Sequence, residues 1–202
     1  MADTARRLAA RSTHFGISLP SSLASQLVVF YDLLERWNRK INLTSLVNPD
    51  EAIDRLLLEP VAAAAELPRA RRMMDLGSGG GSPAIPLALS LGSPLVVMVE
   101  SRSRKAAFLR EAARELGLTA VVENTRFEEL DALDAMDLVS VRAVRMDEAT
   151  LTIGARFLKP GGTLALFRTA GADPPDPLPG SLVWRKGVPL LHRAQLQLLD
   201  RV

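Results

Sequence analysis

Asp75-Leu76-Gly77-Ser78-Gly79-Gly80-Gly81-Ser82-Pro83 is the stretch on which the fold turns. The short apolar run before it, residues 73–76, reads as a buried strand, and it leads straight into a turn crowded with glycine. Glycine lets the backbone bend sharply and approach a ligand closely, because no Cβ intervenes. Pro83 and Pro86 then suit the first turn of a helix, where a missing N–H is no loss. Strand, glycine turn and helix in that order open a parallel α/β sheet. The ligand crevice of such a sheet lies outside the carboxyl ends of its strands, where the strand order reverses.

Downstream the same alternation continues. Apolar runs at 95–99, 120–122, 138–141 and 163–167 read as strands, and 83–91, 103–116 and 147–158 as helices. That pattern predicts a mostly parallel sheet covered by helices on both faces. Lys159-Pro160-Gly161-Gly162 reads as a turn, and residues 173–180, rich in proline, as an exposed loop. Residues 181–186 and 196–202 add two edge strands. Upstream, residues 1–70 read as a helical appendage to a domain spanning 71–202. Leu23, Leu27, Phe30, Tyr31, Leu34 and Trp37 recur at mostly three- and four-residue steps, as on one helix face. Asn42 and Thr44 interrupt the pattern as a loop. Asn48-Pro49-Asp50-Glu51 then has a capping side chain, a proline at the first helical position and an acid for a capping box. Pro60 is expected to kink or divide the helix that follows.

Composition narrows the classes. Apolar residues make up 48% and charged residues 24%, as in ordinary globular proteins. No apolar run is long enough to span a bilayer, and Arg6, Arg7 and Arg11 are not followed by a secretory apolar core, so a cytoplasmic protein without a membrane partner is expected. There is no cysteine, and the two histidines, His14 and His192, stand far apart, so no metal site is expected and each histidine reads as a surface or satisfied group. The net charge is only +2, but basic residues cluster at Arg36, Arg39 and Lys40, at Arg69, Arg71 and Arg72, and at Arg102, Arg104 and Lys105. Placed beside the crevice, these clusters suggest a rim for phosphates.

The glycine turn alone does not select a cofactor, because nicotinamide and flavin enzymes use one too. Its spacing is Gly-x-Gly-x-Gly, with Ser82 where dinucleotide binders carry the third glycine or alanine. Asp75, at the strand end, is placed to meet a cofactor's amino group or to cap the loop's own N–H groups. Glu100 ends the second strand, where a carboxylate accepts ribose hydroxyls and has little structural purpose, a feature that nicotinamide binders share.

These residues carry a resemblance. Trp37-Asn38-Arg39-Lys40-Ile41-Asn42-Leu43-Thr44 and the glycine turn through Leu87 resemble the glucose-inhibited division protein B family. The likeness runs on through Arg104-Lys105-Ala106-Ala107-Phe108-Leu109-Arg110-Glu111, Arg126-Phe127-Glu128-Glu129, Val141-Arg142-Ala143-Val144 and Leu158-Lys159-Pro160-Gly161-Gly162. The resemblance implies a Rossmann-like class I methyltransferase sheet with antiparallel edge strands. It implies methyl transfer from S-adenosyl-L-methionine to N7 of a guanine in 16S ribosomal RNA, as naked RNA or a small-subunit particle, by a monomer. It makes Gly77, Ser82, Phe127, Glu128 and Arg142 cofactor contacts, beside Asp75, Ser78, Gly79 and Glu100, which the glycine turn and the strand ends already place at the crevice. Arg142 also orients the target base or a phosphate, its other role being an ion pair to Glu100 or Glu128, while Asn38 and Asn42 shape the catalytic floor. The sequence departs from the family at Ser82, Ala84, Phe127, Leu57-Leu58-Glu59-Pro60 and Phe167-Arg168-Thr169-Ala170. Two alternatives stay open: a non-catalytic paralogue that binds S-adenosylmethionine or RNA, and an NAD(P)-dependent oxidoreductase on the same fold.

Overall fold

Residues of alternate parity leave a strand on opposite faces, so an apolar run feeds two cores at once. In the computed structural model, which describes residues 1–45, 47–92, 95–131, 134–145 and 147–202, the central strands do this. They are β1 (Arg72–Leu76), β2 (Leu95–Val99), β3 (Ala120–Glu123), β4 (Met136–Arg142) and β5 (Leu158–Thr169). Met73, Val96, Met98, Leu138 and Ala165 join one core, whereas Met74, Val97, Val99, Val139 and Leu164 join the other.

The helices are α1 (Ala2–His14), α2 (Ser21–Asn38), α3 (Pro49–Ile53), α4 (Glu59–Ala64), α5 (Ala84–Ser90), α6 (Ser103–Glu115) and α7 (Glu148–Phe157). The first core takes α1 to α6 and the second takes α7. Leu27, Phe30 and Leu34 of α2 are fully enclosed, each worth roughly 1.5–3 kcal/mol of burial, so the amino-terminal helices share the sheet's own core.

Strands β6 (Leu182–Pro189) and β7 (Ala194–Arg201) complete a seven-stranded sheet in the order β3-β2-β1-β4-β5-β7-β6. The β1–β5 pairings are parallel, and β7 is antiparallel to both β5 and β6. The chain adds strands to one side of β1 and then returns to place β4 on the other. The crevice therefore lies at the carboxyl ends of β1 and β4.

Two expectations change in detail. Lys159-Pro160-Gly161-Gly162 is a turn contained in β5: Met136 pairs with Leu158 and Leu138 with Thr163, so the intervening residues bulge out. Gly161, at φ +76°, supplies the left-handed step. The helix capped by Asn48, whose side chain accepts from the amides of Asp50 and Glu51 (2.9 and 3.2 Å), does not break at Pro60. It widens one turn earlier into a π-helical turn, Asp54–Leu58. There the Glu59 amide reaches back to the Asp54 carbonyl. An α-helix would satisfy the Arg55 carbonyl from residue 59 and the Leu56 carbonyl from residue 60. The first donor has been diverted, and Pro60 has no N–H to give, so both acceptors must find partners elsewhere.

Candidate active site

The partners of those two carbonyls lie in the crevice. Arg142, the last residue of β4, donates through Nη1 to the Arg55 carbonyl at 2.8 Å, and Ser82 of the glycine loop donates its hydroxyl to the Leu56 carbonyl at 2.8 Å. Arg142 Nη2 also lies 2.7 Å from Oε1 of Glu59, its Nη1 is 3.4 Å from Ser82 Oγ, and its guanidinium sits over the Phe167 ring at 5.6 Å. The ion pair expected for Arg142 is corrected here: its partner is Glu59, not Glu100 or Glu128. Glu59 was visible only as a departure from the family pattern. The signal that marks it is Pro60 directly behind it, since a proline inside a helix frees carbonyls for outside donors. Burial pushes the Glu59 carboxyl up and the Arg142 guanidinium down from their usual values, and each charge opposes the shift of the other.

The loop after β1 is fitted from both sides. Gly77 (φ +74°) leaves no room for a Cβ, which would stand 2.9 Å from Val144 Cγ2, and a Cβ on Gly80 would meet the Leu43 carbonyl oxygen at 3.1 Å. Leu43 is brought there by Asn38, whose Oδ1 accepts from the amides of Leu43 and Thr44 at 2.8 and 3.0 Å. Asn38 thus spends its acceptor on shaping the loop. Asn42 is exposed beside it. Trp37 is core, edge-on to Phe108 at 5.9 Å.

Asp75 is sealed inside, paired across the strands with Ser140, whose hydroxyl it accepts at 2.5 Å; the Ser78 hydroxyl bonds the Asp75 carbonyl at 3.1 Å. Burial pushes the Asp75 carboxyl up to about 6. Glu100 accepts from the Gly79 amide (2.9 Å) and the Arg102 amide (2.8 Å). It therefore has the structural purpose denied to it from sequence, because it ties the glycine loop to the start of α6. Phe127 stands half-buried against the second core on a short 3₁₀ turn, Phe127–Glu129, and Glu128 is exposed on the same turn.

These groups fit an adenosine-bearing cofactor by their own chemistry. They offer a sharply turned loop whose glycines carry no side chains, a carboxylate at the end of β2 for ribose hydroxyls, and an aromatic ring after β3.

Beside them opens a cleft of about 880 Å³ at the carboxyl ends of β4 and β5, lined by Glu59, Arg142, Phe167, Arg168 and residues of the β6–β7 turn. His192 in that turn is a satisfied histidine, its Nε2 2.8 Å from Asp54 Oδ2, and Arg11 of α1 grips the same buried carboxylate. Two of the basic clusters meet: Arg36, Arg39, Lys40 and Arg104 line one groove, and Lys40, Arg102, Arg104 and Lys105 line another. The third is corrected. Arg71 and Arg72 donate their amides to Asp137 at the start of β4, which puts that cluster at the opposite end of the sheet from the crevice. Among the described residues no group of His, Asp and Glu is placed to hold a metal ion, and no helix is long and apolar enough to cross a membrane.

The strand order, the glycine loop after the first strand and the acid ending the second are those of an S-adenosylmethionine-dependent methyltransferase. A SAM-dependent methyltransferase from Aquifex aeolicus shares the fold at a TM-score of 0.61 and 15% identity, over 75% of this chain and 93% of that one. So does a mutant of MtNAS in complex with S-adenosylmethionine, at 0.58 and 17%, over 89% and 77%. The profile of the family described as rRNA small subunit methyltransferase G matches residues 23–173. Ribosomal RNA small subunit methyltransferase G of Rhodospirillum centenum is 42% identical over 163 residues, 79% of this chain and 73% of that protein. Its namesake from Xanthomonas campestris pv. campestris is 36% identical over 187 residues, 91% and 85% of the two chains. The chain belongs to the rRNA small subunit methyltransferase G family.

Proposed function

We propose that the chain transfers a methyl group from S-adenosylmethionine to N7 of a guanine in small-subunit ribosomal RNA. The observation that carries this reading is the meeting, at one reversal of strand order, of a glycine loop ending β1 with a nucleotide-sized cleft ending β4 and β5. Gly77, Ser78, Gly79, Glu100, Phe127 and Glu128 are the residues that would hold the cofactor, with Asp75 fixing the strand end behind them. When bound, it supplies an electrophilic methyl group on a sulfonium.

Guanine N7 presents a free lone pair, so no proton has to leave before attack and the site needs no general base. What the protein contributes is in-line positioning and exclusion of water. Arg142 is the positioning cation. Its ion pair with Glu59, and its bonds to the Arg55 carbonyl and Ser82, hold its guanidinium in one place. The pairing has a second consequence. The base becomes cationic as it is methylated, and an arginine already neutralised by Glu59 opposes that charge far less than a bare one. Asn38 acts through the loop it shapes, with Asn42 exposed on that loop. We also infer that residues 1–70 serve the 71–202 domain by bringing Leu43 and Glu59 to it, and that the chain works as a monomer.

Titration calorimetry tests the first step. S-adenosylmethionine is expected to bind and NAD not to bind. Gly77→Ala, which puts a Cβ 2.9 Å from Val144 Cγ2, is expected to weaken binding at least tenfold. Heat from NAD and none from S-adenosylmethionine would overturn the proposal.

A further inference from the structure

Charge accounting in the cleft shows an imbalance. Four carboxylates line it, Asp50, Glu51, Asp54 and Glu59, and an arginine answers each one. Arg7 lies 2.8 Å from Asp50, Arg55 3.8 Å from Glu51, Arg11 holds Asp54, and Arg142 lies 2.7 Å from Glu59. Two further cations on the opposite wall, Arg168 and Arg193, have no carboxylate partner among the described residues. Arg168 makes only long bonds to neutral oxygens, the Asp173 carbonyl at 3.2 Å and Gln197 Oε1 at 3.3 Å. The two are close in the fold: Thr169 pairs with Ala194, and the Ala170 amide bonds the Arg193 carbonyl at 2.7 Å. Two arginines without a carboxylate partner, on neighbouring backbone positions of β5 and the β6–β7 turn, give this side of the cleft an affinity for anions.

A base inside a duplex or stack cannot present N7 to a methyl group held in a crevice, so it must leave the stack. An extruded nucleotide carries a phosphodiester on each side, and each phosphodiester brings one negative charge. We propose that this cleft receives the extruded target nucleotide of a single-stranded RNA segment, and that Arg168 and Arg193 hold the two phosphates flanking it. The base then lies toward Arg142 and Phe167. At about 880 Å³ the cleft has space for a nucleotide. The wall that carries Arg193 lies outside residues 23–173, the segment shared with the family profile, and it is braced by the His192–Asp54–Arg11 cluster. Of the two proposed phosphate contacts, Arg168 therefore lies within the shared segment and Arg193 beyond it. The inference rests on the methyl-transfer reading above.

Steady-state methyl transfer to small-subunit RNA by the full chain tests it. The variants are Arg168→Ala, Arg193→Ala and, as a control at the far end of the sheet, Arg69→Ala. The first two are expected to raise KM for RNA about tenfold each. Each is also expected to make the dependence of log KM on log salt shallower by about 0.7, one phosphate contact to a single strand. Their affinity for S-adenosylmethionine, read by calorimetry, should stay at the wild-type value, and Arg69→Ala should behave as wild type. Unmoved KM and salt slope in both variants, with Arg39→Ala or Arg104→Ala moving them instead, overturns the placement and leaves the function standing. An equal response from Arg69→Ala overturns it too. Wild-type protein that binds S-adenosylmethionine but methylates no RNA overturns the function reading, and this placement with it.

Discussion

A carboxylate sealed between strands holds its proton more tightly than one in water, and Asp75 is such a group. Burial raises it to about 6 despite the bond from Ser140 that favours the charged form. Its unfolded value is about two units lower, near 3.9. Between about pH 4 and pH 6 this carboxyl therefore holds its proton more fully in the native protein than in the unfolded chain. This residue's contribution is fully present below the lower value and is lost as pH rises through the upper one, on the order of 3 kcal/mol. Asp75→Asn cannot ionise and still accepts from Ser140. Urea unfolding across that window is expected to show the variant gaining on the wild type as pH rises; parallel stability curves would refute it. At this scale the sequence speaks unevenly. The glycines and Glu100 declare themselves because strand, turn and acid are close in the chain. The pairing of Arg142 with Glu59 does not, because 83 residues separate two side chains that only the folded helix and sheet bring together.

Among the elements, the central sheet was the most readable: β2 begins and ends where its apolar run does, and α6 and α7 fall within a residue or two of their periodic stretches. Helix α1 was covered only by the general reading of residues 1–70 as helical, and its bounds and face were not legible. Its buried face is Thr4, Leu8 and Ser12, a stripe with a single aliphatic residue that no apolar periodicity reveals. What docks it is polar: Arg11 on buried Asp54, with Thr4 Oγ1 donating to Asp32 at 2.6 Å. Removing one partner of a buried pair strands the other. Arg11→Ala is thus expected to cost about 2 kcal/mol, less than a complete break because His192 still contacts Asp54. A urea midpoint shifted by that amount with an unchanged slope is the expected reading, and an unshifted midpoint contradicts it. The π-turn was half legible. Pro60 announced a disturbance, but only the fold shows that the freed carbonyls serve Arg142 and Ser82.

On the scale of the whole molecule, the crevice is where three long-range decisions meet: the reversal of strand order after β3, the return of the appendage through Leu43 and Glu59, and the β6–β7 turn at the far wall of the cleft. The class of protein was readable because the first two leave local marks, the glycine turn and residues 37–44. The cleft was not, since its wall is drawn from both ends of the chain and carries no motif. The same geometry divides the basic clusters, two onto grooves beside the glycine loop and one to the opposite end of the sheet, a division that charge counts do not reveal. The central claim is methyl transfer to guanine N7. Its most direct test is mass spectrometry of nuclease-cut small-subunit ribosomal RNA from a deletion strain, alone or supplied with the wild-type chain or the Gly77→Ala variant. The account predicts N7-methylguanosine in one fragment with the wild-type chain, absent from the deletion strain and reduced with Gly77→Ala. Identical RNA in all three strains, or a new methyl group on a different atom, would contradict it.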